Sequence, residues 1–534
     1  MRFASFAWLL SAVAAASEDT HEGQPAPAAS PKRVAIIGAG AAGASTAHHL
    51  RKYATQAHMP LEITIFERND YIGGRSTTVE AFNDTLLAPI ELGASIFVSV
   101  NYVLQDAVKE FGLQLKEPYE GPVALKDVPF MGIYDGSKFV VTMQDSGWWS
   151  SLKMLWRYLY APIKAEQLMK ETVGKFLKIY EAPYFPFPSL TKRVYDLGLK
   201  EAAGMTGQQF LKENGIRDDF ANEVIQAMTR VNYAQNLGVI HGLETMCSIA
   251  TNGAVAVEGG NWRIFEAMVN ASQSIPRLGR AVFAIKRHDD GTFTVASKSE
   301  PTCPTCTVYE EKFDSIVLAA PYQYANIDVK PKPQIIPDAI PYVDLHVTLF
   351  TSPHYLHSPA FGLKPDEKVP SMLLTTLQSN EQPGSNATYK AKAGFNSISL
   401  LGTRFNRKTG GDEYLYKIFS MDPVPDEFLA KILGLDEKKQ LSKGDVSWVY
   451  RKLWQSYPYE FPRVTFEELR LDENFWYTGG IESFISTMET SALIGKNVAH
   501  LLVDEWKSRQ KTHVHADQRQ PDVHAAQEPL QAEL

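Results

Sequence analysis

The stretch Arg33-Val34-Ala35-Ile36-Ile37-Gly38-Ala39-Gly40-Ala41-Ala42-Gly43 decides the fold class of this 534-residue chain. Its first five residues form the mostly apolar, β-branched run of a strand buried on both faces, the kind found in parallel sheets. The run passes without a spacer into Gly-X-Gly-X-X-Gly, and Ala44 to Tyr53 then carry helical character. A lone glycine triplet is weak evidence, since a glycine-rich turn in another α/β protein can supply one. Here a second strand, Leu61-Glu62-Ile63-Thr64-Ile65-Phe66, follows and ends in an acid, Glu67, 24 residues past Gly43. Strand, glycine turn, helix, strand and acid in that order are the fingerprint of a dinucleotide-binding βαβ unit. Gly38 permits the tight turn, Gly40 lets backbone approach a pyrophosphate, and Gly43 lets helix and strand pack closely. Ala41 and Ala42 open a helix whose first N–H groups face phosphate. Glu67, with Arg68 beside it, is placed for the ribose 2′-hydroxyl.

Further along, Arg68-Asn69-Asp70-Tyr71-Ile72-Gly73-Gly74-Arg75-Ser76 puts a glycine pair and an arginine just past the acid. This second element resembles the FAD-dependent amine-oxidase-like superfamily and is not shared by enzymes that bind only NAD. The resemblance implies that Gly73 and Gly74 admit the cofactor close to backbone and that Arg75 supplies charge to the pyrophosphate. It also implies that Gly93, Ala94 and Ser95, in Glu91-Leu92-Gly93-Ala94-Ser95, pass beside the flavin ring; Glu91 reads equally as a strand-end salt-bridge partner. Later pieces belong to the same domain. A hairpin signal at Asp289-Asp290-Gly291 lies within Ala281 to Val295, and Phe313 to Pro321 is a buried-strand run. Tyr477-Thr478-Gly479-Gly480-Ile481-Glu482 precedes a helical Met488 to Leu502, so that Gly480 and Ile481 bring a positive helix end to the flavin's N1–C2=O edge.

The expected fold is therefore α/β: a Rossmann-like FAD-binding domain of the amine-oxidase type with an interwoven α+β substrate domain. The FAD-binding parts are 32–110, 246–330 and 471–506; the substrate parts are 111–245, largely helical, and 331–470. No Cys or His stands at a position suited to flavin attachment, so the FAD is expected to be noncovalent.

From Trp148 the chain changes character. Trp148, Trp149, Leu152, Met154, Leu155, Trp156, Tyr158, Leu159, Ile163, Leu168, Val173, Phe176, Leu177, Ile179 and Tyr180 recur at helical spacing, with Lys and Arg between them. Core helices are the default reading. The alternative is an apolar tunnel or an interfacial face for a lipid-like substrate, which would give peripheral membrane contact. Leu155-Trp156-Arg157-Tyr158, Arg230-Val231-Asn232-Tyr233-Ala234-Gln235-Asn236 and Ala256-Val257-Glu258-Gly259-Gly260-Asn261 then occur in that order. With Gly479-Gly480-Ile481-Glu482 and Met488-Glu489-Thr490-Ser491-Ala492, they resemble the prenylcysteine oxidase (prenylcysteine lyase) family from about Lys32 to about Trp506.

That resemblance implies an FAD-dependent thioether oxidase of the lysosomal, vacuolar or secretory compartments. It cleaves farnesyl- or geranylgeranyl-cysteine with O2 and water to a prenyl aldehyde, free cysteine and hydrogen peroxide, by hydride transfer to flavin N5. The carbon oxidised is both allylic and bonded to sulfur, so no strong protein base is required. Asn232 and Tyr233 would orient the cysteine end or the water, and His241 would take protons; packing, turn and hydrogen-bonded structural roles read equally well for them. Gly260 and Asn261, after Gly259, bring backbone to the cofactor. Trp454, Tyr457 and Tyr459 line a substrate entrance or pack in the core. Two rivals stay open: an FAD-dependent tailoring oxidase of an amine or another prenylated or sulfur-containing metabolite, and a non-enzymatic prenyl carrier.

Composition supplies exclusions. A net charge of −8 without clustered Lys/Arg argues against nucleic acid as a partner. Three cysteines rule out a disulfide scaffold and a four-Cys zinc site, and no other metal-ligand spacing stands out. Cys303-Pro304-Thr305-Cys306 reads first as a surface loop disulfide and only second as a redox relay, with Cys247 unpaired and buried. Residues 1–16 read as a secretory signal peptide and 17–31 as a disordered spacer. Sequons at Asn83, Asn270 and Asn386 agree with export to the secretory pathway, a vacuole or lysosome, or the exterior. The polar stretch 507–534 reads as a disordered tail. Nothing in the sequence speaks to oligomeric state.

Overall fold

The computed structural model describes residues 30–117, 128–144, 154–300, 303, 305–381 and 391–517. The expected signal peptide, most of the spacer, Trp148, Trp149, Leu152 and Asn386 lie outside the described residues.

The chain enters β1 (Lys32–Ile37), turns through the glycines into α1 (Ala41–Gln56), and returns along β2 (Leu61–Phe66). β1 pairs in parallel with β2 on one side (Val34 opposite Ile63) and with Ser315–Leu318 on the other (Val34 opposite Ser315). Phe475–Tyr477 and Ile275–Arg277 extend the sheet in parallel on either side, and Arg470–Asp472 adds an antiparallel edge, giving six strands. The β-branched run behaves as parallel-sheet physics requires. Val34 and Ile36 face a helical layer with Leu50, Leu493 and Val498, while Ala35 and Ile37 face Val282, Ile285 and Phe293 of a four-stranded sheet. The hairpin Ala281–Arg287 and Phe293–Lys298 builds that second sheet, turning at Asp289-Asp290-Gly291.

The C-terminal helix, Met488–Asp517, lies on α1. Gly495 sets their separation: a methyl there would stand 2.3 Å from the Ala42 carbonyl oxygen. This helix runs on past Trp506 to Asp517, so the expected tail begins later than position 507.

The other domain is a seven-stranded, mostly antiparallel sheet with helices beside it. Its order is Trp448–Pro458, Tyr342–Ser352, Gly411–Ser420, Ser397–Asn406, Met372–Thr375, Met131–Tyr134 and Phe139–Met143. Period-two alternation puts Val343, Leu345, Val347 and Leu349 on one face. There they pack with Leu415, Tyr459, Trp454 and Tyr457, and with Ile90 and Leu92 from the nucleotide domain. That apolar layer is the seam between the domains. In the helical insert the two readings divide by residue. Tyr158, Met169, Phe176 and Ile179 are core, whereas Trp156 (88% exposed), Tyr160 (81%), Leu159 and Ile163 face outward.

Candidate active site

The glycine turn occupies the C-terminal end of β1, where the sheet's order departs in both directions, towards β2 and towards Ser315–Leu318. Open α/β sheets bind nucleotides at such a switch point. Gly38 holds φ +110°, and a methyl on it would lie 2.5 Å from the Ala319 carbonyl oxygen; one on Gly43 would lie 1.9 Å from the Gly38 oxygen. Gly40 differs: the space a methyl would take is clear to 3.9 Å. It precedes a helix whose first turn has no side-chain cap and no acid, a free set of N–H donors for an anion. Gly73 donates its N–H to the Ala39 carbonyl at 2.9 Å, laying the second glycine element across the first. Glu67 is buried and accepts Ala39 N–H at 2.9 Å and Asn69 N–H at 2.8 Å. These residues fit a dinucleotide. Arg68, by contrast, points to solvent.

Arg75 is anchored within the protein: its Nη1 donates to the Ser456 carbonyl at 2.5 Å and its Nη2 to Glu482 Oε1 at 2.6 Å, which ties the guanidinium to the C-terminal motif. Burial works against its charge, but the Glu482 carboxylate outweighs that and holds its pKa above the usual arginine value. Tyr342 donates to the other Glu482 oxygen at 3.1 Å.

The stretch beside the expected flavin ring is pinned from two sides. Asn261, fully buried, donates its N–H to Glu91 Oε1 at 2.6 Å and its side-chain amide to the Ala94 carbonyl at 2.9 Å. Lys417, which the sequence reading missed, donates to the Glu91 carbonyl at 2.8 Å and to Ser95 Oγ at 3.1 Å. Burial lowers the Lys417 pKa to about 8 against the pull of Glu91, and burial raises Glu91 to about 7 against Asn261 and Lys417. Glu91 is therefore no salt-bridge partner of the ordinary kind, since the lysine bonds its carbonyl. Gly93 packs on Arg75: a methyl there would meet the Arg75 carbonyl oxygen at 2.5 Å. Gly260 holds φ +115° against the Trp262 ring.

At the C-terminal motif, Gly479–Ser483 forms a 3-10 turn, and the helix begins only at Met488, capped by Thr487 Oγ1, which accepts Thr490 N–H at 3.1 Å. The positive helix end thus lies beyond the Gly480-Ile481 pair and not directly after it. A methyl on Gly480 would meet the Glu467 side chain at 2.7 Å, so this glycine serves packing within the motif.

The other expected site residues separate. Tyr233 packs edge-on against Tyr457 with ring centres 5.6 Å apart, bringing the Arg230–Asn236 stretch to the end of the strand Trp448–Pro458. Asn232 instead donates to the Ser248 carbonyl at 2.9 Å, a structural bond. His241 caps the helix Gly242–Ile249 by accepting Glu244 N–H at Nδ1, and burial lowers its pKa to about 3. A neutral capping histidine is not the proton acceptor expected. Tyr459 is buried against Phe461, and Trp454 carries Lys452 over its ring. Glu489, also missed, accepts Val103 and Leu104 N–H and the Tyr180 hydroxyl, capping Tyr102–Phe111 from the far end of the chain. Cys303 and Cys306 are joined as a disulfide; Cys247 is free but half-buried, less enclosed than expected. Asn83 and Asn270 are exposed. A concavity of about 460 Å3 among Lys32, Pro60, Asp314 and Trp506 sits at the other end of β1 and holds none of these groups.

The prenylcysteine lyase family profile matches residues 141–518, and a profile of NAD(P)-binding Rossmann-like domains matches 36–111. Farnesylcysteine lyase of Arabidopsis thaliana is 29% identical over 501 residues, 90% of each chain. Prenylcysteine oxidase 1 of Rattus norvegicus is 28% identical over 514 residues, 91% of each. Among solved structures, cyclohexylamine oxidase of Brevibacterium oxydans superposes with a TM-score of 0.54 at 14% identity, covering 90% of this chain and all of the other, which shows a shared fold.

Proposed function

The chain belongs to the prenylcysteine lyase family, and on that premise we propose that it is an FAD-dependent thioether oxidase cleaving a prenylcysteine with O2 and water to a prenyl aldehyde, free cysteine and hydrogen peroxide. The observation that carries the reading is convergence. Stretches that mark the family bond directly to the nucleotide motifs, Asn261 to Glu91 and Ala94, and Glu482 to Arg75.

Gly38, Gly40, Gly43, Glu67, Gly73 and Gly74 would hold the FAD noncovalently, with Gly93 to Ser95 beside its ring. Bound FAD supplies a two-electron acceptor for the allylic C–H next to sulfur. The protein's own task is then positioning and exclusion of water. Asn261 and Lys417 fix the Gly93–Ser95 wall. The apolar layer of Leu92, Val343, Leu345 and Trp454 is packed at the seam and backs that wall. A neutral His241 agrees with chemistry that needs no strong base.

Export to the secretory pathway, vacuole or lysosome is supported by the apolar N-terminus and by the exposed sequons at Asn83 and Asn270. Outward-facing Trp156, Leu159, Tyr160 and Ile163 beside Lys164 support peripheral membrane contact; among the described residues no helix is long and apolar enough to cross a membrane.

Purified protein mixed with farnesylcysteine in air should release peroxide and free thiol and show the yellow flavin bands. Absence of flavin bands refutes every oxidase reading. Peroxide without thiol leaves the tailoring oxidase.

A further inference from the structure

Beside the ribose acid, the nucleotide cradle has a border that no sequence motif marks. Glu67 N–H donates to the Arg277 carbonyl at 3.1 Å, and Arg280 N–H donates to the Glu67 carbonyl at 2.8 Å. Gly279 N–H donates to the Asn69 carbonyl at 2.7 Å. Arg280 is thus fixed next to Glu67 by its backbone, independently of its side chain. The strand Ala281–Arg287 then leads away into the second sheet.

The Arg280 side chain reaches across to Tyr309, the first residue of another strand of that sheet, Tyr309–Phe313. Its guanidinium carbon stands 3.4 Å from the centre of the Tyr309 ring, nearer than in any other such pair among the described residues. At that separation the planar guanidinium lies on the face of the ring. Tyr309 is 42% exposed and Arg280 is half-buried, so the stack stands at the surface. Among the described residues the Arg280 guanidinium has no ion pair and no hydrogen-bond acceptor, whereas Arg277 pairs with Glu311 at 3.3 Å. The ring takes one face of the guanidinium, and no protein ring or carboxylate takes the other.

A dinucleotide on this cradle runs from the N-terminus of α1, which receives pyrophosphate, to Glu67, which receives the ribose hydroxyls. Its base therefore falls beyond Glu67, where Arg277–Arg280 borders the acid. Arg68, the basic residue next to that acid in sequence, points to solvent. A flat cation backed by a ring suits a flat heterocycle, because nucleobases stack on guanidinium planes as they do on aromatic rings.

We propose that Arg280, carried on Tyr309, is the platform on which the adenine of the FAD lies. The assignment rests on the reading of the cofactor as FAD. It adds a base-stacking residue to the glycines and the acid that hold phosphate and ribose.

The test reads binding, not turnover. Flavin-stripped protein is titrated with FAD, and then with AMP and ribose 5-phosphate, which differ only in the base, as competitors. Arg280→Ala keeps the backbone bond to Glu67 and should raise the Kd for FAD by about tenfold. Arg280→Lys keeps the charge but not the planar face, and should bind FAD as weakly as Arg280→Ala. Wild-type protein should prefer AMP over ribose 5-phosphate by about tenfold, and Arg280→Ala should lose most of that preference. Stripped Arg280→Ala should melt within about 1 °C of stripped wild type, a readout that a hairpin-packing role would move. Unchanged FAD affinity in Arg280→Ala, wild-type affinity in Arg280→Lys, or equal competition by AMP and ribose 5-phosphate overturns the assignment. The wild-type competition decides even if a variant fails to fold. Any of these results, with peroxide and thiol still formed from farnesylcysteine, refutes the platform alone. Wild-type protein without flavin bands refutes the functional reading and the platform with it.

Discussion

Replacing Arg75 with Met tests whether this arginine holds the cofactor or holds the protein together. Its partner Glu482 has a side chain only 8% exposed, while the arginine side chain is 35% exposed. Removing one member of a fully buried pair typically costs about 3–5 kcal/mol, because the remaining charge is left without compensation. Water reaches the Arg75 side, and Tyr342 still donates to Glu482, so about 2–3 kcal/mol is the reasonable figure. With an unfolding entropy of about 1 kcal/mol/K for two interwoven domains of this length, that lowers Tm by about 2–3 °C. Arg75→Met with Glu482→Gln removes the orphaned charge and should recover at least half of the loss, a coupling of about 1–2 kcal/mol. Melts are followed by intrinsic fluorescence on both flavin-loaded and flavin-stripped protein. If Arg75 acted through the pyrophosphate, the stripped protein would melt normally and Glu482→Gln would rescue nothing. An unchanged Tm in stripped Arg75→Met, or strict additivity in the double variant, refutes the ion-pair reasoning.

Gly43→Ala places a methyl 1.9 Å from the Gly38 carbonyl oxygen, and backbone cannot yield as a side chain does. The helix must move off β1 at a cost of about 3 kcal/mol, and the purified variant should lack flavin absorbance. Lys417→Met removes two buried charge-assisted bonds to the Glu91–Ser95 wall, so kcat should fall by about tenfold or more with flavin retained; an unchanged kcat would show that the wall holds without it. Stability should decline as pH rises from 6.5 towards 8. Glu91 and Glu489 are raised to about 7 and Glu244 to about 8, so they bind protons in the folded state that the unfolded chain has already released. His49 and His241, lowered to about 3, are neutral when folded throughout that window and contribute little, while Lys417, lowered to about 8, opposes the three carboxyls only at the top of the window. Melts across pH 6.5–8 that rise or stay level contradict the sign.

The nucleotide unit was legible because its signal is local. Strand, glycine turn and helix occupy Lys32 to Gln56, and each residue's role depends on neighbours a few positions away. Gly43 could be read as a packing glycine without knowing what packs. The protein partner of Arg75 could not be read, since it stands 407 residues on. Lys417 and the Glu91 backbone are 326 residues apart. The one local sign was a lysine within the apolar run Leu415-Tyr416-Lys417-Ile418-Phe419, where strand alternation alone would allow a solvated charge. Glu244 and Glu460 look like ordinary surface acids in sequence, and only the tertiary fold removes their water.

These missed residues share a location. Arg75 with Ser456, Lys417 with Glu91, and Glu244 with Ser486 each join segments far apart in sequence, at the seam where the nucleotide and substrate domains meet. A charged group buried at such a seam stabilises only when its distant partner is in place, so its contribution depends on correct docking of the two domains. The glycine cradle lies on one side of the same seam and the Gly93–Ser95 wall spans it. Cofactor binding and domain docking are therefore linked equilibria. Stripping the flavin should loosen the pairs at the seam before it loosens the six-stranded sheet. Hydrogen exchange on stripped protein is expected to rise first at Gly93–Ser95, Ser456–Tyr457 and Ser486, with Val34–Ile37 still protected.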